Sequence, residues 1–88
     1  MFTGIVAGTA PIVEISGDDS VRTFSVDLNG FDIGLEIGAS VSLDGVCMTV
    51  VSLDNGIVSF DAISETLSRT TLSKRRVGDL LNVERSLR

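Results

Sequence analysis

With 88 residues, 43% of them hydrophobic, and a formal net charge of −5, the chain is expected to fold as one domain over residues 1–88 and lacks the basic face that a nucleic-acid binder needs. It contains no histidine and one cysteine, which excludes His-based catalytic triads, the common zinc sites and an internal disulfide. The N-terminal residues do not resemble a signal peptide, and no stretch approaches the ~20 apolar residues of a membrane span. Together with the unpaired thiol, this predicts a cytoplasmic protein.

Two strands are predicted at the start of the chain. The first runs from Ile5 to Ile15 and is dense in β-branched residues. The second runs from Val21 to Leu28, where polar and apolar residues alternate. Its apolar set, which predicts the side that faces the core, consists of Phe24, Val26 and Leu28.

Two turn signals predict consecutive hairpins in the middle of the chain. A strand from Ala39 to Leu43 leads through Asp44-Gly45 into a strand from Val46 to Leu53. Asp54-Asn55-Gly56 then leads into a strand from Ile57 to Ala62. Asp-Gly and Asn-Gly between alternating apolar residues are strong short-range hairpin signals.

Three other segments complete the pattern. Phe31 to Ile37 is ambiguous and allows a turn of helix. After the last hairpin the alternation is lost, so Ser64 is expected to cap a short helix whose Leu67 faces inward. The basic run Lys74-Arg75-Arg76 is expected to be a solvated loop, and Leu80 to Glu84 is predicted as the last strand.

This arrangement is typical of a small all-β protein. It contains about six short strands, turn signals about every 8–12 residues and one short helix, which indicates a closed barrel or a sandwich. The barrel is favoured because closure leaves no strand edge exposed, and so short a chain can hardly build two good sheets.

Cys47 has three possible roles. It lies in the strand-like run that follows the Asp44-Gly45 turn. As a free cysteine it is expected to be a small buried hydrophobe, because this residue type is among the most buried. The alternatives are that it lines a site or acts as a nucleophile, and the second of these is disfavoured because the chain has no histidine to activate the thiol.

Three segments together resemble the riboflavin synthase family, in its N-terminal lumazine-binding repeat. They are MFTGIV at residues 1–6, DGVCMTV at 44–50, and SFDAISETLSRTTL at 59–72 followed by VGDLLNVER at 77–85. Their order and spacing are similar to those of the family, and the resemblance covers essentially the whole chain. It implies a six-stranded Greek-key closed β-barrel with one short α-helix, and a site for 6,7-dimethyl-8-ribityllumazine or riboflavin.

The resemblance also implies which residues contact the ligand. They are Gly4, Ile5, Val6, Cys47, Met48, Thr49, Asp61, Ala62, Ile63, Ser64, Glu65 and Thr66. It places Phe2 and Ser40 near the same pocket, and it makes Cys47 and Ser40 the candidate catalytic side chains. The aliphatic members suit the faces of a flat ring, and the hydroxyl and carboxylate groups of residues 64–66 suit a ribityl chain.

The family reaction sets the expectation for activity. Each family chain carries two such repeats, and a four-carbon unit passes between two lumazines to give riboflavin and a diaminopyrimidine. The resemblance therefore implies that this single repeat binds lumazine or riboflavin, has little or no transferase activity alone and pairs as a homodimer, whereas the full-length enzyme is a homotrimer. No cofactor is expected, and the composition and charge given above predict no metal, no nucleic-acid partner and no membrane partner.

Other functions remain open. The chain could be a non-catalytic lumazine or flavin carrier of the lumazine-protein type, or a barrel used only for protein contacts. FMN and FAD are expected to fit less well than riboflavin, because the sequence has no Gly-rich phosphate loop.

Overall fold

Six β-strands and one short helix make up the computed structural model, which describes residues 8–18, 20–28, 30 and 34–85. The strands are β1 (Gly8–Gly17), β2 (Val21–Asp27), β3 (Ser40–Leu43), β4 (Val46–Asp54), β5 (Ile57–Ile63) and β6 (Leu80–Arg85). Helix α1 (Ser64–Arg69) is followed by a 3₁₀ turn (Thr71–Lys74). Each predicted strand is present, and its ends lie within two residues of the prediction, apart from the start of β1, which was predicted at Ile5, outside the described residues.

The strands form one closed antiparallel barrel in the order β1-β2-β5-β4-β3-β6. Strands β3, β4 and β5 follow one another through hairpins, and β2 lies beside β5, which is a Greek-key arrangement. The prediction of a barrel rather than a sandwich is confirmed. Successive side chains along each strand point alternately to the inside and to the outside of the barrel.

The barrel interior is filled by aliphatic side chains and two phenylalanines. Phe24, Val26 and Leu28 are at most 1% exposed, which confirms the predicted core face of β2. The other buried members are Ala10, Ile12, Leu35, Val41, Leu43, Met48, Val50, Val58, Phe60, Ala62, Leu67, Leu72, Leu81 and Val83.

Both predicted hairpin turns are present, and their backbone explains their sequences. Asp44 and Gly45 have φ of 51° and 82°, and Asn55 and Gly56 have φ of 50° and 85°. A two-residue turn whose central residues both have positive φ matches the twist of the strands that it joins. Glycine adopts such a backbone without a steric cost, and Asn and Asp tolerate it better than other residues.

Helix α1 closes the end of the barrel at which β5 ends. It follows β5 directly, and Leu67 and Leu72 belong to the core at 5% and 1% exposure, which confirms that Leu67 faces inward. The predicted cap is wrong: Ser64 is the first helical residue, Ile63 precedes it and no side chain caps the helix. The 3₁₀ turn does have a cap, because the Leu72 amide donates to Thr70 Oγ1 at 3.3 Å.

The basic run Lys74-Arg75-Arg76 is only partly the solvated loop that was expected, since Lys74 and Arg76 are exposed but Arg75 is half-buried. Arg75 Nη2 donates to Asp44 Oδ2 at 2.6 Å, and the two side chains are 33% and 11% exposed. Asp44 Oδ1 accepts from the Asn82 amide at 2.8 Å, and the Asp44 amide donates to the Asn82 carbonyl at 2.8 Å. This cluster ties the β3–β4 turn to β6 and to the segment that follows α1.

The ambiguous segment before β3 is only partly described. Residues 31–33 lie outside the described part of the chain, and Gly34–Gly38 forms turns without a helix. The amide of Gly38 donates to the Val50 carbonyl at 2.9 Å, so this segment runs into β3 already paired with β4.

Candidate functional site

Strand β4 presents two of its predicted site residues to solvent and one to the core. Cys47 and Thr49 are exposed on the outer face, whereas Met48 is 3% exposed and lies among the core side chains. The interpretation of Cys47 as a buried hydrophobe is therefore wrong, since the free thiol is exposed. Met48 can contribute only its backbone to a site on the outer face.

Strand β5 repeats this alternation. Asp61 and Ile63 are exposed, and Ile63 reaches 54%, whereas Ala62 is 1% exposed and faces the core. Thr23 lies opposite Asp61 on β2 and its hydroxyl donates to Asp61 Oδ1 at 2.6 Å. The Asp61 carboxylate is thus held against β2 by one of its two oxygens.

The two strands part where these residues lie. Strands β4 and β5 are paired from the hairpin turn as far as the pair formed by Val50 and Phe60. The register shifts between Val50 and Ser52, which marks a β-bulge. Such a bulge bends the strand and increases its twist. Among the described residues, Val46–Thr49 pair with β3 and Asp61–Ile63 pair with β2. We call the opening between Cys47–Thr49 and Asp61–Ile63 the β4–β5 cleft.

The backbone of each strand edge points into this cleft. Val50 directs its polar groups away from β5, since its amide donates to the Ala39 carbonyl at 2.9 Å. Because these groups alternate in direction along a strand, those of Cys47 point toward β5. On β5 the Ser64 amide donates to the Ser20 carbonyl at 3.0 Å, so the polar groups of Ile63 point toward β4. The cleft therefore presents main-chain donors and acceptors from both sides.

The first turn of α1 adds polar groups next to β5. Ser64 and Glu65 are exposed and Thr66 is half-buried. Glu65 forms an exposed ion pair with Arg69 at 3.3 Å, an arrangement that contributes little to stability. The backbone carbonyl of Thr66 accepts from the Thr70 hydroxyl at 2.8 Å.

Ser40, the second candidate catalytic residue, lies on β3. It is half-buried and pairs with Thr49, whereas Ser42 is the residue that lies opposite Cys47. Ser40 and Cys47 are thus diagonal neighbours across two strands rather than a direct pair. The Cys47 thiol forms no hydrogen bond with the described residues, so no base is paired with it among them.

The N-terminal part of the predicted site cannot be placed. Phe2, Gly4, Ile5 and Val6 lie outside the described residues. Their predicted contact with a ligand stays a prediction.

Two features near the cleft were not predicted from the sequence. Thr23 is one, although the alternation of β2 already placed it on the outer face. The other is a shallow depression of about 330 Å³ lined by Arg22, Ser64, Leu67, Ser68 and Ser73. It depends on how α1 and the 3₁₀ turn fold back over β2, for which the sequence offers no local signal.

The described ranges contain neither a cluster of metal-binding side chains nor a membrane-spanning helix. There, no three acidic, cysteine or histidine side chains come together to hold a metal ion. No helix in this part of the chain is long and apolar enough to cross a membrane.

Sequence comparison relates the chain to proteins of known activity. The family model described as the lumazine binding domain matches residues 3–86. Riboflavin synthase of Escherichia coli (strain K12) is 48% identical over 87 residues, which is 98% of this chain and 41% of that protein. Riboflavin synthase of Buchnera aphidicola subsp. Schizaphis graminum (strain Sg) is 38% identical over 89 residues, which is 100% of this chain and 43% of that protein. The chain thus spans less than half the length of these relatives.

Solved structures share the fold over nearly the whole chain. LumP complexed with 6,7-dimethyl-8-(1'-D-ribityl) lumazine superposes with a TM-score of 0.91 at 29% identity, covering 100% of this chain and 49% of LumP. LumP complexed with riboflavin gives 0.88 at 30% identity, with 97% and 46% coverage.

Proposed function

Because this chain belongs to the family of lumazine-binding domains, we propose that it binds 6,7-dimethyl-8-ribityllumazine and riboflavin in the β4–β5 cleft. The observation that carries the proposal is the cleft itself. Cys47, Thr49, Asp61 and Ile63 face outward there, on strand edges that part beyond Val50–Phe60.

The chemistry of the cleft matches a flat heterocycle with a polar edge. Main-chain groups of Cys47 and Ile63 point across the opening and offer both donors and acceptors. An apolar surface for a ring face is provided by Ile63 and by Val21, its partner on β2. These side chains are 54% and 42% exposed. A ligand site typically combines such apolar contacts with a few placed polar groups.

The ribityl chain would extend toward the start of α1. Ser64, Glu65 and Thr66 carry hydroxyl and carboxylate groups that suit its hydroxyls. Asp61 offers a further acceptor. Thr23 donates to one oxygen of its carboxylate, which fixes the side chain, and the second oxygen can accept from a ribityl hydroxyl.

Activity in a longer chain would rest on positioning. In an enzyme with two repeats, each repeat would hold one lumazine, and holding both in register converts a bimolecular step into a local one. We propose that this repeat alone binds its ligand and has little or no transferase activity. Cys47 forms part of the cleft wall in this proposal, and Ser40 lies on β3, opposite Thr49. Neither residue has a neighbouring histidine, since the chain contains none.

A non-catalytic carrier is the second candidate. It is supported by the similarity to LumP, whose TM-score is 0.91. Mixing the chain with 6,7-dimethyl-8-ribityllumazine separates the two functions: riboflavin formed above the uncatalysed rate favours an enzyme, and binding without turnover favours a carrier.

A homodimer in a reducing, cytoplasmic environment is part of the proposal. The cleft lies on the outer surface, where a second copy can reach it, and two-fold dimers are the commonest assemblies. The exposed thiol suits a compartment that keeps cysteines reduced. Analytical ultracentrifugation with and without riboflavin checks the dimer, and a monomer at high concentration under both conditions would exclude it.

A riboflavin titration tests ligand binding directly. Flavin fluorescence should change and saturate, and the chain has no Trp or Tyr whose emission would interfere. Ile63→Asp should weaken binding by about tenfold or more, because it places a charge against the ring face. Leu53→Asp is the matched control, since Leu53 is 38% exposed at the other end of β4. An unsaturable signal, or equal effects of both variants, contradicts the proposal.

A further inference from the structure

The depression beside α1 lies on a different face of the helix from Glu65 and Thr66, two of the three residues proposed to bind the ribityl chain. Ser64, Leu67 and Ser68 line it from α1, at positions that share one helical face. Glu65 and Thr66 are displaced from that face by the helical repeat. Arg22 of β2 and Ser73 of the 3₁₀ turn complete the lining. The depression therefore shares only Ser64 with the proposed flavin site.

The polar groups that line this depression are one guanidinium and three serine hydroxyls. Arg22 provides a permanent positive charge, and its Nη1 donates to the Ser73 carbonyl at 3.1 Å, which orients the guanidinium. The hydroxyls of Ser64 and Ser73 form no hydrogen bond within the described residues. The Ser68 hydroxyl already donates to the Glu65 carbonyl at 3.0 Å. Among the described lining residues none is acidic.

We propose that this depression binds a phosphate group, in the form of inorganic phosphate or of a phosphomonoester. A guanidinium with two hydroxyl donors beside it matches the several acceptor oxygens of a tetrahedral oxyanion. Arg22 takes part in a further interaction as well, so the anion would share the guanidinium with its present partners.

The size and lining of the depression favour a phosphate that carries an organic group. Its volume of about 330 Å³ lies at the lower end of the range for small-molecule sites. A bare anion would leave much of that space to water, and Leu67 provides an apolar wall for carbon atoms.

Local charge, rather than the charge of the whole chain, would attract the anion. The net charge of −5 repels anions at long range. Lys74 follows Ser73 directly and is exposed, so it adds a second positive charge near Arg22. Binding should therefore weaken as ionic strength rises and should depend on Arg22 in particular.

Titration of the whole chain with inorganic phosphate, followed by amide chemical shifts, tests the site without any flavin. Saturable shifts should appear at residues 64–68 and 73, and Arg22→Gln should weaken phosphate binding by about tenfold. Arg76→Gln is the matched control, because it removes the same charge from an exposed residue outside the depression and should leave binding unchanged. Shifts that are linear or scattered, or an equal loss in both variants, overturn the proposal.

A second variant covers the case in which Arg22→Gln fails to fold. Ser73→Ala removes one hydroxyl while keeping the backbone carbonyl to which Arg22 donates. It should weaken phosphate binding by about threefold to fivefold without changing the circular dichroism spectrum. Wild-type phosphate affinity in a folded Ser73→Ala chain overturns the proposal, whether or not an Arg22 variant folds.

Comparison of FMN with riboflavin then identifies the source of the phosphate. If FMN binds more tightly than riboflavin, and the difference disappears in Arg22→Gln, the phosphate is carried on the flavin. If the two flavins bind equally while inorganic phosphate still binds through Arg22, the site serves a separate phosphate compound. Loss of flavin binding in every form of the chain would refute the proposed function and leave the phosphate titration as an independent result.

Discussion

Neighbouring residues on β4 have opposite surroundings. Cys47 and Thr49 face solvent, whereas Met48 and Val50 are at most 3% exposed. Because successive side chains of a strand point to opposite faces, a family motif that spans 47–49 combines residues of the cleft with residues of the core. The resemblance names this segment as a whole, and only the pairing of β4 with its neighbours decides which of its side chains face outward.

Substitutions at positions 47 and 48 should therefore have different effects. Met48→Ala should lower the free energy of unfolding by about 2–5 kcal/mol, since it leaves a cavity in the core. Cys47→Ser should change it by no more than about 0.5 kcal/mol but should weaken riboflavin binding. Urea denaturation and a fluorescence titration measure the two quantities. A Cys47→Ser chain with unchanged riboflavin affinity would remove Cys47 from the cleft wall.

Thr23 acts on the proposed site through Asp61. Thr23→Val removes the 2.6 Å hydrogen bond and leaves the Asp61 carboxylate free to rotate. Riboflavin affinity should fall by about threefold to tenfold, the equivalent of ~0.7–1.4 kcal/mol. Thr23→Ser keeps the hydroxyl and should restore most of the affinity. If the serine variant binds as weakly as the valine variant, the hydroxyl has no positioning role.

The turns could be predicted because their sequence signals are local. In the β1–β2 turn, the close approach of the backbone to Gly17 could not be predicted from the sequence. Gly17 has a φ of +91°, and a side chain there would collide with the carbonyl oxygen of Val21. Gly78 has a similar φ of +96° with nothing near its missing side chain. A substitution at Gly78 therefore measures the free-energy cost of the left-handed backbone alone, whereas one at Gly17 adds the cost of the clash with Val21.

Gly78→Ala should therefore destabilise the fold by about 1–2 kcal/mol, the ordinary cost of a left-handed backbone for a residue with a Cβ. Gly17→Ala should cost clearly more, because the chain must also move away from the Val21 carbonyl. Thermal and urea unfolding of the two variants measure the difference. Equal losses would mean that the β1–β2 turn can adjust without a penalty.

The β1–β2 turn also contains a carboxylate whose pKa is lowered by its surroundings. Hydrogen bonds from the Ser20 hydroxyl, the Ser20 amide and the Val21 amide lower the pKa of Asp18 below its usual value. The stabilisation is present above the unfolded-state pKa and is lost as pH falls through the lower folded-state pKa. An NMR titration should find the pKa of Asp18 below the usual value of an aspartate, and Asp18→Asn should remove its share of the acid dependence.

The whole molecule is held together by contacts between segments that are far apart in sequence. Six strands could be predicted from alternation and turn residues, since both are local. The ion pair between Arg75 and Asp44 could not, because the two are 31 positions apart and meet only when the end of the barrel closes. The depression beside Arg22 depends on the same closure, and its residues come from β2, α1 and the 3₁₀ turn.

Arg75 should consequently matter for more than its own segment. Arg75→Gln removes the partner of a carboxylate that is only 11% exposed. It should lower the free energy of unfolding by about 1–3 kcal/mol and speed amide hydrogen exchange at the β3–β4 turn. Arg69→Gln, which disrupts an exposed ion pair, should change stability by less than about 0.5 kcal/mol. Similar losses in the two variants would mean that the partly buried Arg75–Asp44 pair has no special structural role.

The parting of β4 from β5 beyond Val50–Phe60 has a consequence for aggregation. A barrel normally hides every strand edge, and an uncovered edge is a template on which another chain can add a strand. In the described part of this chain the cleft is such a place, and a flavin bound there would occupy the space of an added strand. Saturation with riboflavin should therefore delay the growth of light scattering in concentrated, gently heated solutions, in addition to raising the melting temperature.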